Sequence, residues 1–212
     1  IAAARGFDLQ IRPTSGSVET LELLEKGEAS IGFVQGGIAL DADPTQLSTM
    51  ASLFYEPLWG FYNPDRFDGP VTDAAQLYGK RVAIGERGSG ANWLIRELLA
   101  AHQVDETQVT LLEWSAVDTL AGLRDGSIDI AFFVSAPASE TIQTLLTEPG
   151  IGLMNFDRAA AYRAQFPYLT NVVLPEGAID LRANIPDEDK QLVSTAANLV
   201  IRDDFHPDLL RL

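Results

Sequence analysis

Two stretches of the chain repeat each other, and this internal duplication limits what the sequence can fold into. Residues 18–34 align with residues 117–133 at an offset of 99, and seven of the 17 aligned positions are identical. Each copy predicts a short amphipathic helix, a glycine that ends it (Gly27 or Gly126) and an apolar strand. Glycine is typical of the left-handed position after a helix, and near-continuous apolar strands are typical of parallel strands covered on both faces. The repeat therefore predicts two α/β lobes.

Further elements of an α/β lobe precede the second copy. Residues 81–85 predict a strand, residues 86–90 a glycine-rich turn, and residues 91–102 a helix with an apolar stripe. In the first copy, only a helix stub at residues 1–5 stands in the corresponding place. We therefore expect lobe 1, formed by residues 1–55 and 151–212, to lack its N-terminal strand, and lobe 2 to comprise residues 56–150.

The chain between and after the two copies predicts crossings from one lobe to the other. Residues 51–62 are rich in aromatic side chains and predict a long strand interrupted by Pro57. Strands at residues 151–156, 171–175 and 195–201, and helices at residues 159–165 and 203–212, follow after Gly150. A chain that returns to lobe 1 in this way would form a hinge at its crossing points.

The charge and the composition exclude several classes of protein. The chain has 15 Lys and Arg against 30 Asp and Glu, a net charge of −15, so it lacks the basic surface that nucleic acid requires. It has no cysteine, which excludes disulfides and thiolate chemistry. His102 and His206 lie far apart in sequence and have no neighbours at metal-ligand spacing, so no metal site is expected.

The sequence also lacks recognisable motifs for catalysis or for a cofactor. Ala91 and Asn92 follow the glycine-rich turn where a phosphate-binding loop needs Lys and Ser or Thr, and Trp93 stands where a dinucleotide fingerprint needs glycine. The nucleophile elbow of serine hydrolases is absent, and no spacing marks an acid–base pair of carboxylates. We therefore expect no catalytic residues, no cofactor and no enzymatic activity.

Several polar turns are candidates for a ligand site. Helix N-termini carry N–H groups without partners and a partial positive charge, so they hold anions. The turns at residues 14–17, 35–37, 88–90 and 114–115 lie at helix starts or strand ends, and residues 135–137 mirror residues 35–37 in the second copy. Ser89 and Gly90 are the strongest candidates, because glycine lets a ligand approach the backbone. Ser17 and Ser115 are also expected to cap helices, and the aromatic residues of the crossing strand are more typical of core.

Taken together, these motifs resemble those of the TAXI family of solute receptors, which serve TRAP transporters. The resemblance is carried by residues 16–21 with 27–37, by Leu53-Phe-Tyr-Glu-Pro-Leu-Trp59, by residues 79–85 with 88–90, and by residues 195–204. It covers nearly the whole chain. It implies the two-lobed α/β fold of type 2 periplasmic binding proteins, with hinge strands and an interlobe cleft, here cut short at both ends.

The resemblance also implies a function. A receptor of this family would capture a small carboxylate or amino acid, glutamate-like in some members, in the periplasm and deliver it to membrane permease subunits. The backbone at Ser89 and Gly90 would hold the carboxylate of an anionic or zwitterionic ligand. The other implied ligand residues are Ser17, Gln35, Gly36, Tyr55, Ala91, Trp114 and Ser135. Ala91 stands where family members commonly have threonine, so a side-chain donor at the helix start is absent.

Two other functions are compatible with the same fold. The effector domains of LysR-type transcriptional regulators share it and are close to this length, but they would need a DNA-binding segment upstream. A small-molecule enzyme on this fold, such as a dehydratase of menaquinone synthesis, is the third possibility.

Overall fold

Eight strands form one open mixed sheet in the computed structural model, which describes residues 10–38 and 46–205. The strands are β1 (Ile31–Gln35), β2 (Leu47–Tyr62), β3 (Arg81–Ala83), β4 (Thr110–Leu112), β5 (Ile130–Val134), β6 (Gly152–Leu153), β7 (Leu169–Leu174) and β8 (Lys190–Arg202). The helices are α1 (Ser17–Glu25), α2 (Gly90–Ala101), α3 (Ala116–Asp125), α4 (Glu140–Thr147) and α5 (Ala159–Gln165). The expected helices at residues 1–5 and 203–212 lie wholly or mostly outside the described residues, as does His206.

The strand order is β1-β8-β2-β5-β3-β4, with β6 beside β2 and β7 beside β8. Strand β3 is parallel to both β4 and β5, whereas all other pairings are antiparallel. This arrangement confirms the α/β class expected from the alternation of helices and strands.

Both copies of the repeat fold as a helix, a glycine and a strand, as predicted. The helices are α1 and α3, the strands are β1 and β5, and the glycines Gly27 and Gly126 have φ angles of +71° and +74°. These left-handed conformations favour glycine over residues with a side chain. The copies differ in burial: β5 lies between β2 and β3 and is largely buried, whereas Phe33 of β1 is 60% exposed. The expectation that both strands are covered on both faces is therefore wrong for β1, which within the described part of the chain pairs only with β8.

Two long strands connect the two halves of the sheet. The first part of β2 pairs with β8 as far as Pro57, opposite Ser194, and the second part pairs with β5 from Leu58, opposite Val134. Proline has no N–H to donate to a ladder, so it is best tolerated where pairing is interrupted. The interruption predicted at Pro57 is thus the point at which β2 changes partners.

The buried apolar residues form two clusters. The larger one lies around the second part of β2, β3 and β5, with the fully buried Trp59 and Leu94 among its members, and the smaller one joins α1 to the sheet through Leu24, Val34 and Val200. Residues between positions 154 and 193 that are buried, such as Phe156, belong to the larger cluster. This packing favours counting residues 151–193 with the second lobe rather than the first, and the limits of the lobes stay a prediction.

A buried carboxylate connects three elements of the larger half. Asp129, 6% exposed, accepts the backbone N–H of Arg81 at 2.8 Å and its guanidinium at 2.5 Å, and Arg66 lies 3.7 Å away. The backbone carbonyl of Asp129 accepts the N–H of Asn63 at the end of β2. Burial by itself raises the pKa of the Asp129 carboxyl, but the hydrogen bonds from Arg81 outweigh it, so the pKa is lowered.

We expect Asp129→Asn to lower the free energy of unfolding by about 2–4 kcal/mol at pH 7, because it leaves Arg81 without its carboxylate partner. A group whose pKa is depressed in the folded state stabilises above its unfolded pKa, here near 3.8, and this contribution is lost as the pH falls through the folded value. The gap between the wild type and the variant should therefore shrink below about pH 4. Urea unfolding at several pH values measures this difference in the free energy of unfolding. Asp68→Asn, an equal charge change on an exposed loop, should have little effect, and equal losses for both variants would contradict the prediction.

Candidate functional site

The N-terminus of α2 forms the centre of the candidate site. Ser89 is the N-cap residue, and its hydroxyl accepts the N–H of Asn92 at 3.3 Å. The N–H groups of Gly90 and Ala91 precede that bond, so they have no acceptor within the helix. Three of the predicted ligand residues, Ser89, Gly90 and Ala91, therefore lie together at the positive end of a helix dipole.

A buried amide holds the glycine-rich turn in front of α2. Asn92 is 6% exposed and donates to the Gly85 carbonyl at 3.1 Å and to Glu113 Oε1 at 3.2 Å. Arg96 donates to the same carboxylate oxygen at 2.9 Å. The hydrogen bond from Asn92 is the largest of the effects that lower the pKa of Glu113. The sequence analysis missed this network, since only the fold brings Glu113, 21 residues away, to Asn92.

The start of α1 packs directly on this turn. Gly16 is the N-cap residue of α1, with a φ of +150°, and a Cβ there would lie only 2.6 Å from the Gly88 carbonyl oxygen. Ser17 is thus the first helical residue and not the cap, so the expectation that Ser17 caps α1 is wrong. Its hydroxyl instead accepts the backbone N–H of Gln35 at 2.9 Å.

Gln35 links the end of β1 to the starts of α1 and α2. It is 5% exposed, and its side-chain Nε2 donates to the Gly90 carbonyl at 3.4 Å. Because its backbone also binds Ser17, Gln35 brings the starts of α1 and α2 to the end of β1. The structure therefore places Ser17, Gln35, Ser89 and Gly90 in one group.

The two loops that follow β1 and β5 bond to neighbouring positions on the crossing strands. Gly36 donates its N–H to the Ala196 carbonyl at 2.8 Å, and Ser135 donates its N–H to the Pro57 carbonyl at 3.4 Å. The Ser135 carbonyl accepts the indole N–H of Trp59 at 2.9 Å. Both predicted loops thus lie beside the pair of crossing strands, at the place where β2 changes partners.

Two aromatic residues that the sequence analysis did not select also lie here. A Cβ at Gly37 would come within 2.7 Å of both Trp93 and Tyr168, whose rings are 5.3 Å apart. The Tyr168 hydroxyl is buried without a hydrogen-bond partner, and burial strongly raises the pKa of this phenol. The sequence contains little indication that these residues lie together, because Tyr168 lies far along the chain in a loop that does not belong to the repeat.

Tyr55 and Trp114 are not brought into this group. Tyr55 is 58% exposed and pairs with Ala196, which places it on the opposite face of β2 from Phe54 and Glu56. Trp114 lines a surface groove of about 360 Å³ along α3, together with Asp118 and Asp125. Ser115, next to it, caps α3 as predicted: its hydroxyl accepts the N–H of Asp118.

A second polar cluster surrounds His102 at the end of α2. His102 Nε2 lies 2.7 Å from the Tyr162 hydroxyl, and His102 Nδ1 lies 3.1 Å from Asp73, which also pairs with Arg158. Tyr162 is only 5% exposed, and burial raises the pKa of its phenol. The contact between His102 and Tyr162 joins the end of α2 to α5.

The described residues offer neither a metal site nor a membrane-spanning helix. Across residues 10–38 and 46–205, no group of three or more His, Cys, Asp and Glu side chains is placed to hold a metal ion. In the same ranges, no helix is long and apolar enough to span a bilayer.

Comparison with known proteins identifies the family. The family model described as NMT1-like matches residues 1–212. The chain belongs to the NMT1-like family. This NMT1-like chain therefore has the type 2 solute-binding fold that the sequence predicted. Membership of the TAXI subfamily is a finer statement and stays a prediction.

Solved structures agree with this fold. Holo ArgBP from T. maritima is 12% identical with a TM-score of 0.57, over 99% of this chain and 71% of that chain. The amino acid ABC transporter substrate-binding protein AbpA from Streptococcus pneumoniae, bound to L-arginine, is 13% identical with a TM-score of 0.59, over 99% and 69%. A cysteine-to-serine mutant of OxyR from Corynebacterium glutamicum, with H2O2 bound, is 14% identical with a TM-score of 0.54, over 89% and 48%. At such low identity, these similarities show that the fold is that of two-lobed binding proteins, and they show no more than the fold.

We expect Gly90→Ala to open the contact between Gln35 and the start of α2 without weakening α2. Alanine favours a helix over glycine by about 1 kcal/mol, but a methyl group at position 90 would overlap the Gln35 side chain. Hydrogen exchange should therefore become faster in residues 14–17 and 86–91 and stay unchanged in β3 and β5. In a double variant with Gln35→Ala, the exchange should match that of Gln35→Ala alone, because the collision partner is gone. Wild-type exchange in Gly90→Ala would contradict this account.

Proposed function

We propose that this protein is a solute-binding receptor that captures a small carboxylate or amino acid between the starts of α1 and α2. The observation that carries the proposal is the convergence of these two helix N-termini on Gln35, with the N–H groups of Gly90 and Ala91 left without intrahelical acceptors. A helix N-terminus of this kind is suited to a carboxylate. The solved binding proteins ArgBP and AbpA, which share the fold, support this class of ligand.

The residues of the site would act in different ways. Gly90 and Ala91 would hold the carboxylate through their N–H groups, and Gln35 and Ser135 would hydrogen-bond polar groups of the ligand. Ser89 would position the helix start, since its own N–H donates to the Glu86 carbonyl and its hydroxyl caps the helix. Ser17 and Gly36 would fix the loop that carries Gln35, through the bonds described above. Tyr55 and Trp114 belong to the proposal only through the resemblance to known receptors. No catalytic residue, cofactor or metal is assigned.

Binding would be coupled to closure of two lobes around the crossing strands. Only a ligand that gains contacts in the closed state shifts the population toward it. The two apolar clusters, one around α1 and one around β5, support a division into two packing units joined by β2 and β8.

The finer identity that we propose is a TAXI-type receptor in the periplasm that delivers its ligand to the permease subunits of a TRAP transporter. It rests on the sequence motifs given above, and an ABC permease is the other transporter type compatible with a solute-binding fold.

The alternative is the ligand-sensing effector domain of a LysR-type regulator. The similarity to OxyR favours keeping this alternative, because OxyR has a comparable fold and its structure has H2O2 bound. A DNA-binding segment in the upstream gene sequence would favour the regulator, and a signal peptide or lipid-attachment site there would favour the receptor.

A thermal-shift screen against L-amino acids and small mono- and dicarboxylates tests the proposal. A ligand that binds only the folded state stabilises by about 2.7 kcal/mol at 100 times its Kd, which corresponds to a rise of roughly 5–10 °C in Tm. We expect such a rise with one chemical class of these compounds. No rise with any of them at millimolar concentration would contradict the receptor function.

We expect Ser89→Trp to abolish binding of the compound found in that screen, because an indole at the N-cap would fill the space in front of α2. The variant also loses the cap, which costs about 1 kcal/mol of stability. Ser89→Ala, the matched control, loses the same cap without adding bulk and should keep most of the affinity. Isothermal titration calorimetry measures both, and unchanged affinity in Ser89→Trp would remove α2 from the site.

A further inference from the structure

Two polar residues face each other at the crossing of β2 and β8. Glu56 of β2 pairs directly with Thr195 of β8. The loops of the two repeats bond to the residues next to this pair, Gly36 to Ala196 and Ser135 to Pro57. Glu56 and Thr195 therefore lie between the two loops that the sequence analysis predicted to bind a ligand.

Neither side chain has a partner that explains its burial. Thr195 is fully buried and its Oγ1 makes no hydrogen bond. The Glu56 carboxylate is half-buried, and within residues 10–38 and 46–205 no Lys or Arg pairs with it and no donor binds it. Loss of water at this position raises the pKa of the Glu56 carboxyl. Buried polar groups without partners are uncommon in folded proteins and call for a reason.

The strand register shows which way this pair faces. Residues directly opposite each other in an antiparallel pair share a face, and alternate residues of one strand do so too. Gln35 pairs with Ala197, Ala197 pairs with Phe54, and Glu56 and Thr195 are each two positions further along their strands. Glu56 and Thr195 thus lie on the same face as Gln35, whose side chain reaches the start of α2.

We propose that Glu56 and Thr195 form the subsite for a cationic group, so that the ligand is zwitterionic: its carboxylate binds at the start of α2 and its ammonium at Glu56. This inference rests on the proposed function and deepens it by naming the ligand class. An ammonium has three donors and no acceptor, which matches a carboxylate and the lone pairs of a hydroxyl. A bare metal cation fits less well, since Ca²⁺ requires six or more oxygen ligands and Mg²⁺ an octahedral set.

The subsite would act by selection against the wrong ligand. A carboxylic acid without an ammonium would leave Glu56 desolvated and unpaired when the lobes close, and this penalty is as effective as an added attraction. The net charge of −15 acts in the same direction, because it draws cationic groups toward the protein and repels simple anions.

The experiment compares matched ligand pairs on wild type and Glu56→Gln by isothermal titration calorimetry. The probes are L-glutamate with glutarate, L-alanine with propionate, and L-arginine with 5-guanidinopentanoate, each pair differing by the α-ammonium. For wild type, we expect the amino acid of at least one pair to bind at least 30-fold more tightly than its partner. In Glu56→Gln, we expect the amino acid to lose roughly 30-fold or more in affinity, as is typical when one partner of a desolvated charge pair is removed.

Two controls separate this role from a general effect. Glu25→Gln makes the same charge change on an exposed position of α1 and should leave affinity unchanged. Without ligand, Glu56→Gln should have a Tm equal to or above that of wild type, since it removes an unpaired carboxylate from a half-buried position. A lower Tm with unchanged affinity would show a structural role for Glu56 and overturn the inference.

The outcomes also separate the inference from the proposed function. Equal affinity for amino acids and their deaminated partners, or an unchanged affinity in Glu56→Gln, overturns the subsite while the receptor function stands. Absence of binding by every probe, together with no thermal shift in the wider screen, overturns both.

Discussion

The backbone hydrogen bonds of β2 and β8 hold the two loops of the candidate site that follow β1 and β5. These two strands carry the chain between the two apolar clusters, and β2 exchanges β8 for β5 as its partner at Pro57. The loops after β1 and β5 bond to Ala196 and Pro57, which are neighbours across this exchange. Since the loops hold Gln35 and Ser135, a bend of the crossing strands would move the ligand groups of the two halves relative to each other, which is the mechanical basis for closure.

The sequence predicted those parts of the structure that local rules govern. The glycines after α1 and α3, the strands that follow them and the cap at Ser115 each depend on a few adjacent residues. The assignment of Ser17 as a cap was wrong because the helix already includes Ser17, and the N-cap is Gly16, which has a φ of +150° and lies in close contact with Gly88. That contact depends on the tertiary structure, and nothing in the sequence of residues 14–17 indicates it.

The sequence could not predict which face of the sheet each residue of β2 lies on. For this reason the sequence analysis did not select Glu56. An uninterrupted strand alternates strictly, so a single error in register exchanges its two faces. Strand β2 has register shifts between Thr49 and Ala51 and between Ser52 and Phe54, and after them Tyr55 and Glu56 point to opposite sides. Tyr55 entered the candidate site through the resemblance to known receptors, whereas the register places Glu56 on the side of Gln35. The partners of Asn92 and Tyr168 were hidden for a related reason, since they come from distant parts of the chain.

The contact between Gln35 and Gly90 indicates how closure can be sensitive to a ligand. The 3.4 Å bond from the Gln35 side chain to the Gly90 carbonyl lies at the long limit for a hydrogen bond, so it contributes little to holding the halves together. It also leaves the N–H groups of Gly90 and Ala91 available, because it uses the carbonyl of the helix start and not its donors.

A ligand carboxylate would add charge-assisted hydrogen bonds there, which are roughly twice as strong as neutral ones. If Glu56 is the proposed subsite, its unpaired carboxylate would oppose closure in the absence of a cation, so a zwitterion would both remove a penalty and add an attraction. Two such terms of about 2–3 kcal/mol each would add to about 4–6 kcal/mol, which is comparable with the ~5.5 kcal/mol that moves a two-state equilibrium from mostly open to mostly closed.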